Sequence, residues 1–188
     1  MFRYGLAASP PCFEGYRMTE AQDFSFRSSS MEFAGFVLMH SAAIAEGNNA
    51  DELICPFAIL MNSQGRRVVD FEADTQQDAI EHGWACLDQS RERDELWSLA
   101  REGLKRTQTA ALDVLAVSVW APGQSEPFTV VQAFGRDSGR HFHLIGEPEL
   151  FVGGRDSIPV PSGWGVDALY RGIASHPKGK RWSSWLGT

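Results

Sequence analysis

A chain of 188 residues with 43% hydrophobic and 22% charged side chains is long enough to bury a core without staples, and its composition is that of an ordinary globular protein. The excess of 24 acidic over 17 basic side chains, a net charge of -7, excludes a general nucleic-acid binder, which needs Lys and Arg clustered on one face. No window approaches the ~18 consecutive apolar residues of a membrane span. Three widely spaced cysteines, Cys12, Cys55 and Cys86, make neither a disulfide framework nor a zinc quartet, so reduced thiols and a cytoplasmic setting are expected.

The first apolar run, Tyr4 to Ala8, ends at Pro10 and Pro11 and is too short for a signal-peptide core. Met18 offers an alternative start, so residues 1–17 are read as a leader or disordered extension. Ser29-Ser30-Met31-Glu32 is a capping box that opens a helix. Its stripe runs Phe33, Phe36, Val37, His40 and Ile44, widened by Leu38 and Met39, and Gly47-Asn48-Asn49 stops it. So wide a stripe predicts a helix sandwiched in the core.

Leu53 to Met61 and Arg67 to Glu72, joined by Asn62-Ser63-Gln64-Gly65, predict a β-hairpin. Pro56 places its strand at an edge or delays its start. Asp74-Thr75-Gln76-Gln77-Asp78 supplies an N-cap for a second helix carrying Ala79, Ile80, Gly83, Trp84 and Leu87. After a charged break, Leu96, Trp97, Leu99, Ala100 and Leu104 resume a helical spacing, and a further short helix is expected there. Ala111 to Trp120 is apolar on both faces apart from Asp113 and Ser118, which predicts the central strand. Phe128 to Phe134 and His141 to Val152 add two more, the last bulged or broken at Pro148.

The expected fold is therefore α+β, a single domain with about five mainly antiparallel strands and two to three helices in the order α-β-β-α-(α)-β-β-β. That order is similar to the profilin-like topology, a likeness of element order that carries no motif and no function. The core domain spans residues 18–153. Residues 154–188 shift to Gly, Pro and Ser and then to a basic aromatic tail with Trp164, Trp182, Trp185, Arg171, Lys178, Lys180 and Arg181. A short helix is expected from Val166 to Ala174, and the last dozen residues lack a clear apolar period, so a flexible or docking tail is expected.

Two imidazoles, His141 and His143, stand two residues apart on the last strand with Glu147 four residues on. Alternation puts the two rings on one face, where they could share an ion. The spacing Gly135-x5-His141-x-His143-x3-Glu147-x6-Gly154 resembles the first metal-binding motif of cupins, and that resemblance implies a divalent transition metal held by His141, His143 and Glu147. It covers residues 135–154 only. The second cupin motif is not reproduced downstream, where His176 is the sole remaining imidazole, so histidines on a half-exposed strand are the simpler reading.

Asp137-Ser138-Gly139 reads as hairpin turn chemistry and not as a nucleophile. His40, on the first helix's stripe, is read as a core histidine bonded to a carbonyl, with ligand contact as the sharper alternative. Asp113, alone on an apolar strand, must find a partner such as Arg66 or Arg67, or leave through the sheet edge. Trp164, Trp182, Trp185 and Arg181 are candidate partner contacts, because Trp and Arg dominate interfaces.

No acid-base set converges in the sequence, so the expected function is that of a non-catalytic, cytoplasmic binding or regulatory protein without cofactor. Its partner is expected to be a protein, a basic one by charge complementarity, as for an acidic antidote to a basic toxin. A homodimer through the tail is an open alternative. So are a metal-binding protein or metal-dependent enzyme on the His-x-His strand, and a small-molecule sensor with Phe33, Phe36 and His40 facing a groove between sheet and helix.

Overall fold

The computed structural model describes residues 28–49, 52–93, 95–107, 110–152, 158–159 and 165–186. Residues 1–17 and Trp164 lie outside them. The elements run α1 (Ser28–Gly47), β1 (Phe57–Asn62), β2 (Gly65–Asp70), α2 (Gln76–Arg91), β3 (Leu96–Arg106), β4 (Ala111–Trp120), β5 (Phe128–Arg136), β6 (Phe142–Val152), a two-residue β7 (Ile158–Pro159), α3 (Val166–Ser175), a 3-10 turn (Gly179–Arg181) and α4 (Trp182–Trp185). One antiparallel sheet takes all the strands in the order β2-β1-β3-β4-β5-β6-β7. The α+β class is as expected, with one more long strand and more helix than the sequence suggests.

The extra strand is β3, which corrects the short helix expected over Leu96 to Leu104. Trp97 and Leu99 face Leu60 and Ala58 on one side of the sheet, while Ser98 and Ala100 turn to the other. A strand buried on both faces carries apolar residues side by side, and that pattern imitates a helical stripe over a few residues. Pairing with β1 and with ten residues of β4 outweighs the local spacing.

Helices cover the two faces unequally. On one face α1 lies against Phe57, Ile59, Ala100, Leu115, Val117 and Val130. On the other, α2 packs on β3 through Ala79, Trp84 and Leu87. There Trp97 meets Trp84 edge-on at 5.9 Å and stacks with Trp120 at 6.2 Å. The cap of α2 is Thr75, whose hydroxyl accepts from the Asp78 amide at 3.1 Å, one of the donors a helix start leaves open. Pro56 precedes β1 and so removes no donor from the ladder.

The carboxyl-terminal segment docks on the body, the second of the two alternatives expected for it, although its last dozen residues carry no clear apolar period. Trp182 and Trp185 are 4% and 3% exposed, in one core with α1, Phe142 and Leu144. Trp185 donates its indole N–H to Glu46 at 3.1 Å and meets Phe142 edge-on at 5.2 Å. Helices α1 and α3 cross where Gly35 and Gly172 leave no room for a side chain. A Cβ at Gly35 would stand 2.0 Å from the Leu169 carbonyl oxygen, and one at Gly172 would stand 1.9 Å from that of Glu32. With α3 behind it and the sheet in front, α1 is apolar over most of its circumference, as a sandwiched helix must be.

Candidate functional site

The His-x-His strand does not gather its three side chains. His141 precedes β6 beside Arg140, a residue at φ 64°, and its side chain is 82% exposed with Nδ1 at 3.1 Å from Asp137. That contact, with the His141 amide donating to the same carboxylate at 2.9 Å, holds the Asp137 carboxyl below its usual range, the backbone bond being the larger cause. His143 lies within β6 opposite Gly135, its ring against the space above that glycine. Glu147 accepts the Tyr170 hydroxyl of α3 at 2.5 Å. Burial and this carboxylate push Tyr170 up to about 12. Among the described residues no three His, Cys, Asp or Glu side chains are placed to hold a metal ion.

The reason is a bulge. Val131 pairs with Glu149 and Ala133 with Ile145, so β6 spends four residues where β5 spends two. Gly146 takes φ 65°, a conformation that glycine adopts at no steric cost. Gln132, fully buried, donates to the Ile145 and Gly146 carbonyls at 3.1 and 3.2 Å and pins the irregular stretch. Pro148 in the sequence signals the bulge; the glutamine that holds it gives no signal of its own.

The imidazoles that do meet are His40 and His176, 136 positions apart, with Nδ1 of His40 at 3.2 Å from Nε2 of His176. The Lys178 amide donates to Nδ1 of His176 at 3.1 Å, which fixes that nitrogen as an acceptor. The His176 proton therefore sits on Nε2 and is donated to His40 Nδ1, leaving the His40 proton on its own Nε2. Both rings are neutral in this arrangement. Phe57 meets His40 edge-on at 5.5 Å, Phe36 lies 4.9 Å from His176, and Arg66 stacks over Phe36 at 4.4 Å.

Burial lowers both imidazole pKa values. For His40 the Lys178 charge adds to it against an opposing effect of Asp70, and for His176 the His40 and Lys178 charges add to it. A nitrogen separation of 3.2 Å would also suit two ligands of a tetrahedral ion. Ligation through His176 Nε2 would move the proton to Nδ1, where the Lys178 N–H already points, so the structure favours the hydrogen bond.

Other expected site residues lie apart. Asp113 is exposed near the start of β4 and leaves the sheet at its end. Neither expected partner meets it, since Arg67 pairs with Glu95 at 2.9 Å and Arg66 is on Phe36. Arg181 pairs with Glu46, and Trp182 and Trp185 are core residues, so these three hold the tail to α1. Phe33 is buried in the core with α1, while Phe36 and His40 are half-buried.

A cleft of about 400 Å³ opens instead between Leu53–Pro56 and the start of α2, lined by Phe71, Glu72, Thr75, Gln76 and Ala79. Its Cys55 thiol is pushed up by partial burial and then by Asp70 and Glu72, so it stays protonated and is a poor nucleophile. Comparison with known proteins finds no matching family model, no matching curated protein and no matching solved structure.

Proposed function

We propose that this chain acts by association, as a non-catalytic binding or regulatory protein whose partner is a basic protein. The observation that supports it is the outer side of α2 and its approach. Glu72, Asp74, Asp78 and Glu81 are all exposed there, residues 71–90 contain no Lys or Arg, and Asp88 on that side pairs with Arg91 at the end of the helix. Such a flank speeds encounter with a cationic surface and discriminates against acidic ones. An antidote that caps a basic toxin fits this chemistry, and reduced cysteines fit a cytoplasmic site of action.

Purification of the tagged chain from cells of its own source tests the reading. The expected result is a protein of high isoelectric point, recovered at low salt and released as the ionic strength rises. A chain that elutes alone and turns over a small molecule would contradict it.

A further inference from the structure

The two ends of the sheet differ. One closes on β7, two residues long and carrying Pro159, a short edge of the kind that blocks further pairing. The other is β2, which keeps an unbroken register with β1 from Gly65 to Asp70 and contains neither a bulge nor a proline. Every residue of β2 except half-buried Val69 is exposed, Val68 by 54%. The helices lie chiefly over inner strands, α1 on β3, β4 and β5 and α2 on β3, so neither is seated on β2.

Alternation along the strand fixes which groups that edge presents. The Phe71 amide donates to the Pro56 carbonyl at 2.8 Å, so Gly65, Arg67 and Val69 turn their main-chain groups to β1, and the N–H and C=O of Arg66, Val68 and Asp70 point away from it. Among the described residues no strand lies beyond β2 to receive them. The side chains of the same three residues share the α1 face, because they stand opposite Met61, Ile59 and Phe57. Arg66 is held on that face by Phe36. Read along the strand, the face runs basic, apolar, acidic, an order that becomes its own complement when reversed.

We propose that β2 pairs antiparallel with β2 of a second copy of this chain, about a two-fold axis through Val68, joining two sheets into one. In that register Arg66 of each copy stands opposite Asp70 of the other and Val68 opposite Val68. Each of these pairs exchanges two main-chain hydrogen bonds, since all three residues present their groups outward. Opposite charges face each other across the strands, and the exposed valines cover one another. Sliding one copy by two residues is the smallest shift that keeps the hydrogen bonds. It either sets Arg67 against Arg67, or puts Val68 opposite Asp70 and leaves Arg66 beyond the end of the other strand; a shift by one residue loses the bonds altogether. Charges on an edge strand ordinarily oppose such pairing, but here they select one register. The acids of α2 take no part, so the dimer and the association with a basic protein stand or fall separately.

Sedimentation equilibrium of the purified full chain tests the dimer. The parent should show a reversible monomer–dimer equilibrium at concentrations up to about 0.1 mM. Asp70→Arg sets like charges opposite each other, twice by symmetry, and should weaken the dimer about tenfold or more. Arg66→Asp combined with Asp70→Arg reverses the order of the charges and should restore the dimer to within about threefold of the parent. Val68→Pro removes an amide that points away from β1, so the hairpin loses no hydrogen bond while the dimer should disappear. The charge variants, at exposed positions, decide the case if the proline also disturbs the hairpin. The proposal is overturned by a parent that stays monomeric throughout that range, by a dimer indifferent to Asp70→Arg, by a double swap no tighter than the single one, or by a dimer that survives Val68→Pro.

Discussion

The His40–His176 bond shows how one backbone amide decides the protonation of two rings. Lys178 N–H donates to His176 Nδ1, and everything else about the pair follows from that direction. A proton arriving on His40 Nδ1 would face the His176 N–H. The pair could accommodate it only by moving the His176 proton to Nδ1, against the Lys178 amide. The charges facing the pair are Lys178, Asp70 and, through Phe36, Arg66. Both imidazoles are weaker bases folded than unfolded, so the unfolded chain binds protons first as the pH falls. Their contribution is complete above the ordinary value of 6.5 and is lost progressively below it. The urea midpoint should therefore fall between about pH 7 and pH 5, and a His40→Gln, His176→Gln double variant should show a shallower fall. An unchanged slope in that variant would remove the pair from the account. The sequence reads His40 as a core histidine bonded to a carbonyl; the structure leaves it half-buried and gives it the His176 ring instead, a partner that only the docking of α3 brings near.

Among the elements, the α1–α3 crossing places His176 and anchors the tail. The backbones approach where Gly35 and Gly172 face a carbonyl at about 2 Å from any added Cβ, so Gly172→Ala must push the helices apart. The expected cost is about 1–3 kcal/mol, the range for forced overpacking, measured by denaturant unfolding; a neutral effect would mean the crossing is loose. Trp185→Ala removes a 3% exposed indole and its bond to Glu46, with an expected loss of about 3–5 kcal/mol. A loss below about 1 kcal/mol would show a tail that is not integral to the fold.

Legibility also differs by element. The hairpin of β1 and β2, the Thr75 region as a cap, the central β4 and the bulged β6 could be read from turn chemistry and periodicity, because their signals are local. Strand β3 and the docked tail could not. Burial on both faces disguises the period of Trp97, Leu99 and Ala100. Trp182 and Trp185 are core only because Phe142, Leu144 and α1 come from elsewhere in the chain to receive them. The His-x-His spacing is local in sequence, but it could not show that Glu147, beyond the Gly146 bulge, is taken by Tyr170 of α3.

At the scale of the whole molecule, two cores lie on the two faces of one sheet. On the α1 face helix, sheet and tail close over a continuous core. On the other face α2 packs on Trp97 and Leu99 and presents acids outward. The acidic flank is what the proposed association with a basic protein rests on. Composition makes the acidic balance legible, but its placement on the α2 flank depends on which helix face the sheet buries.

Charge reversal on that flank tests the central claim most directly. Glu81→Lys and Asp88→Lys lie on the exposed side of α2, away from its Thr75 cap, and give up surface contacts to Gln77 and to Arg91, so the far-UV spectrum should be unchanged and the Tm only slightly lower. When the parent and the doubly substituted chain are purified side by side from source cells at low salt, the account predicts a basic protein with the parent and its loss with the variant. Recovery of the same partner in equal amount with both chains, or turnover of a small molecule by a partnerless parent chain, would contradict it.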